Sequence, residues 1–252
     1  MIGVIPAAGS GTRMYPFSRA NPKELFPVDR KAVIDHVIES LHKHADINKV
    51  FVIVGLYKGA IINHLGDGSR LNDGKLKVCY LFQEERKGLA HAIYQAKNWV
   101  DEDFIVHVGD SFIYPKSELT KAFEIHKKEK PFATIIVKEV SDPTEHGIVK
   151  IDEKGYMVDA FEKPTLKEAE PFKTNGKYLT ITAIYIFSKG IFNYIEKTPK
   201  GVKDEYQITD SIKLALKNGK KIRVVSIKGE YLDIGTWDSA EQAQEFFRKM
   251  KK

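Results

Sequence analysis

Hydrophobic and polar positions along the chain follow two periods, and the order in which the periods alternate predicts the elements. A continuous apolar run from Ile2 to Ile5 stops at Pro6 and passes into a glycine-containing turn, as a buried strand followed by a tight loop does. Residues 32–43 carry apolar side chains at 33, 34, 37, 38 and 41, the spacing of one buried helical face. A buried strand is predicted over 49–54, a helix over 59–65, a loop through Gly66-Asp-Gly68 and Asn72-Asp-Gly74, and a strand over 76–82. Gly88 opens a predicted helix that runs to Trp99 or Val100, and 104–108 reads as a strand ending at Gly109-Asp110. Strand and helix alternate throughout this half, which calls for a mainly parallel sheet with helices on both faces.

The second half changes texture. Strands are predicted close together over 132–140, 147–151 and 156–161, with Asp152-Glu-Lys-Gly155 as a hairpin turn. A long strand over 178–187, a helix over 207–217 closed by Asn218-Gly219, a strand over 221–227 and a terminal helix over 237–250 follow. There is no repeat, linker or low-complexity segment, so one domain with a sheet extended by antiparallel strands is expected over 1–252.

Composition narrows the class. With 42% hydrophobic and 29% charged residues the chain is an ordinary globular protein, and no apolar run approaches the ~20 residues of a membrane span. One cysteine, Cys79, excludes an internal disulfide framework, and the N-terminus carries no basic leader; both fit a cytoplasmic protein. The net charge of +6 comes from scattered lysines and a short basic tail from Arg248. This favours anionic small ligands over nucleic acid, which asks for a clustered basic stripe interleaved with aromatics.

The chemistry is concentrated at predicted strand ends. Gly9 and Gly11 allow backbone angles and close approaches that a Cβ resists, and such loops present backbone N–H groups to anions. Thr12 adds a hydroxyl, Arg13 a forked cation and Lys23, behind Pro22, a point charge. The third glycine of a dinucleotide fingerprint and the Gly-Lys-Ser/Thr of a Walker loop are both missing. Asp110 and Asp233 fall at strand ends, where ligands of an open parallel sheet bind, and a pair of carboxylates facing phosphates suits Mg²⁺. A strand-end aspartate is also a common turn former. Glu162-Lys163-Pro164 ends the 156–161 strand and reads either as an anion and hydroxyl site or as an exposed ion pair. Asp204 to Asp210 is expected to cap the helix that follows. The eight histidines make no HxxxH pair, so zinc is not indicated, and His107 is expected to be a core histidine.

In order and spacing, Ala8-Gly-Ser-Gly-Thr-Arg13, Pro22-Lys-Glu-Leu-Phe-Pro27, Gln83 with Gly88-Leu-Ala-His-Ala92, Val108-Gly-Asp110, His146-Gly-Ile148, Glu162-Lys-Pro164, Glu205-Tyr-Gln-Ile-Thr-Asp210 and Leu232-Asp-Ile-Gly235 resemble the sugar-1-phosphate nucleotidyltransferases. The resemblance covers nearly the whole chain. It implies an α/β, Rossmann-like three-layer fold whose mainly parallel sheet carries added antiparallel strands as a sugar-binding subregion. Residues 1–130 would mainly bind nucleotide, 131–236 sugar phosphate, and 237–252 would form the closing helix. Ala8, Gly9, Gly11, Thr12, Arg13 and Lys23 would hold a nucleoside triphosphate, Gln83 and Gly88 the base, and Asp110 and Asp233 Mg²⁺. Gly147, Glu162, Lys163 and Lys203 would hold the sugar 1-phosphate, with Arg13, Lys23 and Lys163 catalytic. Two departures stand out: Lys203 occupies a position where relatives have arginine, and Ala183 one where they have glycine.

The implied reaction is in-line attack of a sugar-phosphate oxygen on the α-phosphorus, with pyrophosphate leaving. Because a phosphate monoester is already largely dianionic at neutral pH, no general base is needed, in keeping with the missing nucleophile motifs. Lys23-Glu24 resembles the uridylyl branch, whereas Leu65-Gly-Asp-Gly-Ser69 and Leu232-Asp-Ile-Gly-Thr236 resemble the thymidylyl branch, so UTP and dTTP both stay open and glucose 1-phosphate is the default sugar. One helix follows Asp233, so the C-terminal extension of many thymidylyl relatives is not expected, and homo-oligomer or monomer is left open. A cytidylyltransferase of non-sugar phosphates and a non-catalytic nucleotide-sugar-binding subunit are the alternatives.

Overall fold

A computed structural model describes residues 1–71 and 74–251; the predicted turn at Asn72-Asp73 lies outside them. In chain order the strands are β1 (Ile2–Pro6), β2 (Pro27–Val28), β3 (Lys31–Ala32), β4 (Lys49–Val54), β5 (Lys77–Phe82), β6 (Phe104–His107) and β7 (Ser111–Tyr114). They continue as β8 (Ala133–Val140), β9 (Gly147–Ile151), β10 (Met157–Glu162), β11 (Tyr178–Phe187), β12 (Ile222–Ser226) and β13 (Glu230–Asp233). The helices are α1 (Phe17–Ala20), α2 (Val33–Ala45), α3 (Gly59–Leu65), α4 (Leu89–Tyr94), α5 (Glu118–Glu129), α6 (Leu166–Ala169), α7 (Ile191–Lys197), α8 (Ile208–Lys217) and α9 (Trp237–Met250). The described residues fall into two compact units.

One unit comprises Ile2–Arg86, His107–Thr120 and Gly229–Lys252. Its sheet is parallel, with β4 between β1 and β5 and Gly3 opposite Val50, Ile53 opposite Leu81. Every residue of β1 and all but the first of β4 are buried, which is why both read as continuous apolar runs instead of alternating ones. The stripe read at 33, 34, 37, 38 and 41 is the buried face of α2. A second, two-stranded ladder pairs β7 antiparallel with β13, Asp233 opposite Ser111. Thr236 caps α9 by accepting from the Ser239 amide, and Phe247 of that helix stacks near Phe112 and His36.

The other unit comprises Met1, Lys87–Val106 and Lys121–Lys228. Its long strand β11 runs antiparallel to β8 and β9, β9 and β10 form the predicted hairpin, and β12 lies parallel to β8. The register of β11 on β8 shifts between Ile181 and Tyr185, a bulge in which Ala183 takes a left-handed φ of 54°. A left-handed position of this kind favours glycine, and here it is occupied by an alanine.

Mainly parallel strands with added antiparallel ones are therefore observed as expected. Two local expectations are corrected. The helix predicted from Gly88 to Trp99 ends at Tyr94, and a separate 3-10 turn covers Lys97–Trp99. Asp204 to Asp210 does not cap the next helix: the N-cap of α8 is Gln207, with no side-chain cap bond. That segment pairs instead with the chain around Gly88, Tyr206 N donating to Lys87 O (2.8 Å) and Ala90 N to Tyr206 O (3.1 Å).

Candidate nucleotide and sugar-phosphate sites

The glycine loop follows β1. Gly11 has φ +67° and caps a 3-10 turn over Thr12–Met14; Ser18 Oγ donates to its carbonyl at 2.6 Å, fixing the curl. A Cβ on Gly9 would lie 3.6 Å from Cε and 3.7 Å from Nζ of Lys23, so the bare face of Gly9 borders the lysine. Thr12 and Arg13 are exposed, whereas Ala8 is buried beneath the loop. Beside the loop a cavity of about 270 Å³ is lined by residues that include Gly9, Ser10, Arg19, Lys58 and Arg86, with no acidic side chain among the lining residues. A concave, cationic rim of this kind concentrates anions.

Lys23 does not stand alone. Its Nζ forms an ion pair with Asp110 Oδ2. Burial pulls the lysine toward neutrality, yet Asp110, Glu24 and Asp233 together hold its pKa above the ordinary lysine value. Burial likewise opposes ionisation of Asp110, but Lys23 keeps that carboxyl below the usual range. Asp233 is pushed up to about 6, by burial first and then by repulsion from Asp110, with Lys23 and Arg13 opposing.

The short ladder of β7 and β13 creates this juxtaposition, with Asp233 opposite Ser111 and Ile234 N donating to Asp110 O at 2.9 Å. Asp233 thus closes its own strand, Glu230–Asp233, and does not merely trail the strand before it. A Cβ on Gly235 would lie 2.9 Å from Asp233 Oδ2 and 3.2 Å from Arg13 Nη2, so the missing side chain leaves room for the guanidinium beside the carboxylate. Two oxygen-only donors at the more negative end of the cluster suit a hard cation such as Mg²⁺, which retains water and phosphate oxygens as its other ligands. Among the described residues no group of three or more acidic, histidine or cysteine side chains forms a fuller metal cage.

Two members of the cluster have no clear sequence signal. Glu24 is 1% exposed and accepts from Lys58 Nζ at 2.7 Å, and its carboxyl is pushed up by burial against the pull of Lys58 and Lys23. Charged residues ordinarily read as solvated; only Glu24's place beside Lys23 hints at its burial. Gln83 directly follows β5 and is 3% exposed, its amide donating to Val54 O at 2.8 Å. His107 is the expected core histidine, 1% exposed with Nδ1 at 3.0 Å from Val108 O, and burial lowers its pKa to about 4.

The other unit gathers the sugar-side candidates. Gly147 faces Glu162 across the β9–β10 ladder; a Cβ on it would approach Glu162 Oε2 to 2.8 Å and Thr209 Oγ1 to 2.9 Å. Burial raises the Glu162 carboxyl, while the Thr209 hydroxyl and the Lys163 ammonium pull it back. Lys163 is exposed with φ +45°, its amide donating to His146 O at 3.2 Å. Thr209, 3% exposed, escaped the sequence reading because a helix-start threonine ordinarily signals capping. Lys203 is exposed in the 3-10 turn Val202–Asp204 with φ +61°. Gly88 has φ +101°, and a Cβ there would come within 2.6 Å of Tyr206 O; glycine is required by the backbone packing in addition to any contact with a base.

The parallel strands of this α/β fold thus lead into a glycine loop, with two aspartates and a buried lysine gathered beyond them. The chain belongs to the nucleotidyl transferase family, whose model matches residues 2–250. It is 35% identical over 238 residues to the low-salt glycan biosynthesis nucleotidyltransferase Agl11 of Haloferax volcanii, an alignment covering 93% of this chain and 62% of that protein. It thus spans less than two thirds of that relative's length. It is 30% identical to the UTP–glucose-1-phosphate uridylyltransferase AglF of the same organism, covering 97% of this chain and 96% of AglF. Its fold superimposes on a UDP-glucose pyrophosphorylase solved with UDP-glucose at a TM-score of 0.86, over 99% of this chain and 98% of that one, at 24% identity. Among the described residues no helix is long and apolar enough to cross a membrane.

Proposed function

We propose that this chain, acting as one catalytic domain over 1–252, transfers a nucleotidyl group from UTP or dTTP to a sugar 1-phosphate, glucose 1-phosphate by preference, and releases pyrophosphate. The observation that carries the reading is the pairing of Asp110 and Asp233 beside Lys23 and Arg13, supported by family membership and by the likeness to AglF along nearly its whole length.

In this reading the loop residues Ala8, Gly9, Gly11 and Thr12 cradle the triphosphate, while Gln83 and Gly88 contact the base. Arg13 and Lys23 orient the phosphates and neutralise charge developing on the leaving pyrophosphate. Asp110 and Asp233 would hold Mg²⁺, which supplies further charge neutralisation on phosphate oxygens. On the sugar side Glu162 accepts hydroxyl donors, Gly147 leaves the space in which that carboxylate sits, and Lys163 and Lys203 meet the phosphate. No residue has to remove a proton, because the attacking phosphate oxygen is already ionised. The reading also places the protein in the cytoplasm, where nucleoside triphosphates are found.

The test is pyrophosphate release with Mg²⁺ over a grid of UTP, dTTP, CTP, ATP and GTP against sugar 1-phosphates and non-sugar phosphates. Turnover confined to a pyrimidine triphosphate with a hexose 1-phosphate supports the reading. Turnover only with CTP and a non-sugar phosphate replaces it with the cytidylyltransferase, and binding of nucleotide sugars without turnover replaces it with a non-catalytic subunit.

A further inference from the structure

The residues of the glycine-loop unit contain a string of buried charges longer than the proposed reaction uses. Lys58 Nζ lies 2.7 Å from Glu24 Oε2, with side chains 8% and 1% exposed. Glu24 adjoins Lys23 in sequence and acts on it electrostatically; Lys23 is paired with Asp110, and Asp110 repels Asp233. From one end to the other the signs run plus, minus, plus, minus, minus. Glu24 is wedged in place: a Cβ on Gly109 would lie 3.3 Å from its Cγ, so the carboxylate stem runs under the turn that carries Asp110. Lys58 sits on the separate segment leading into α3.

An isolated buried ion pair adds little net stability over apolar residues of the same shape, so Lys58 and Glu24 call for another explanation. The string supplies one. Lys23 Nζ is paired with Asp110, and Glu24 acts on the same ammonium through its charge without bonding to it. The negative charge of Glu24 offsets part of the positive charge that Lys23 presents, and Asp110 keeps more of its own charge to act together with Asp233. Lys58 offsets the charge of Glu24, so these five groups carry one excess negative charge at the Asp110–Asp233 end, where the exposed Arg13 guanidinium also lies near Asp233.

We propose that Glu24 and Lys58 are a positioning pair that sets the affinity of the Asp110–Asp233 end for a divalent cation and frees Lys23 for the triphosphate. The proposal rests on the nucleotidyltransferase reading for the identity of the ligands, but its own content is electrostatic. It makes a prediction that a merely structural pair does not, because the two single truncations change the local charge in opposite directions.

The experiment compares Glu24→Gln, Lys58→Met and the double variant with the unaltered protein at pH 8. Calorimetric titration with Mn²⁺ alone, and with UTP and dTTP in Mg²⁺, is run beside kcat and KM for pyrophosphate release. Glu24→Gln removes one negative charge and is expected to weaken Mn²⁺ binding about tenfold or more, the effect of one unit charge several ångströms away at an effective dielectric constant near 20. Lys58→Met leaves the negative charge in place and is expected to hold or strengthen Mn²⁺ binding while raising KM for the triphosphate. The double variant, which restores the net charge and leaves no buried ion without its partner, is expected to bind Mn²⁺ within about threefold of the unaltered protein. Equal loss of Mn²⁺ affinity in both single variants, or a double variant no better than Glu24→Gln, overturns the proposal and leaves the pair structural. The two failures are distinguishable: an unaltered protein that turns over no triphosphate refutes the reaction, whereas the Mn²⁺ pattern is read without turnover.

Discussion

Replacing Lys23 with methionine tests how the paired aspartates are held. The substitution keeps the length of the side chain and removes the ammonium that pairs with Asp110, the two side chains being 13% and 20% exposed. Removing one partner of a buried pair costs about 3–5 kcal/mol, and the residual exposure here points to the lower end, about 3 kcal/mol at pH 7. The loss should depend on pH in a definite direction. Asp233 already has its pKa raised to about 6 by burial and Asp110; without Lys23, Asp110 loses the charge that holds its own pKa down, and the two carboxyls come to share a proton. A carboxyl whose folded pKa lies above its unfolded value contributes stability that is present at low pH and lost as pH rises through the folded pKa. The gap between variant and unaltered protein should therefore be smallest near pH 5 and widen toward pH 7, by at most about 1.4 kcal/mol per pH unit for each carboxyl involved. Urea unfolding at pH 5, 6 and 7, followed by circular dichroism, measures it. A gap that is constant with pH, together with pyrophosphate release within about threefold of the unaltered rate, would refute both the coupling and the catalytic role.

Three other outcomes follow from the geometry. Gly147→Ala forces a methyl toward Glu162 and Thr209, and steady-state kinetics should show KM for the sugar phosphate raised by about tenfold, equivalent to about 1.4 kcal/mol, with triphosphate KM little changed. His107 is buried neutral with its pKa lowered to about 4; its contribution is complete above pH 6.5 and disappears as pH falls through 4, worth about 3 kcal/mol. The opposite displacement of Asp233 offsets part of this between pH 4 and 6, and His107→Gln should flatten the His107 component in urea titrations across that window. Ala183→Gly relieves a left-handed alanine in the β11 bulge, which costs about 1–2 kcal/mol, against about 0.4–1 kcal/mol of added unfolded-state entropy; thermal unfolding should show a net gain of up to about 1.6 kcal/mol.

What the sequence made legible follows from how local each signal is. Strand Lys49–Val54 and helices Gly59–Leu65 and Trp237–Met250 match their expected bounds because an apolar run, an apolar stripe and a capping threonine are properties of neighbouring residues. The glycine loop was legible for the same reason. The ladder that pairs Ser111–Tyr114 with Glu230–Asp233 was not, since four-residue strands carry too few alternations to register and their partners are distant in sequence. The buried Lys58–Glu24 pair was hidden more deeply: each residue alone has the composition of a solvated surface, and only tertiary structure brings them together. The expected cap at Asp204 to Asp210 fails where a non-local event fixes the backbone just before α8, Tyr206 pairing through its N–H and C=O with Lys87 and Ala90.

The β7–β13 ladder also carries a consequence for the order of assembly. Tyr231 and Ser111, which hydrogen-bond across it, are 120 residues apart in the chain. During synthesis the glycine loop and Asp110 emerge while Asp233 is still to be translated. Under the proposed function, a nascent chain would therefore hold only one of the two carboxylates until Glu230–Asp233 has been made and has paired with Ser111–Tyr114.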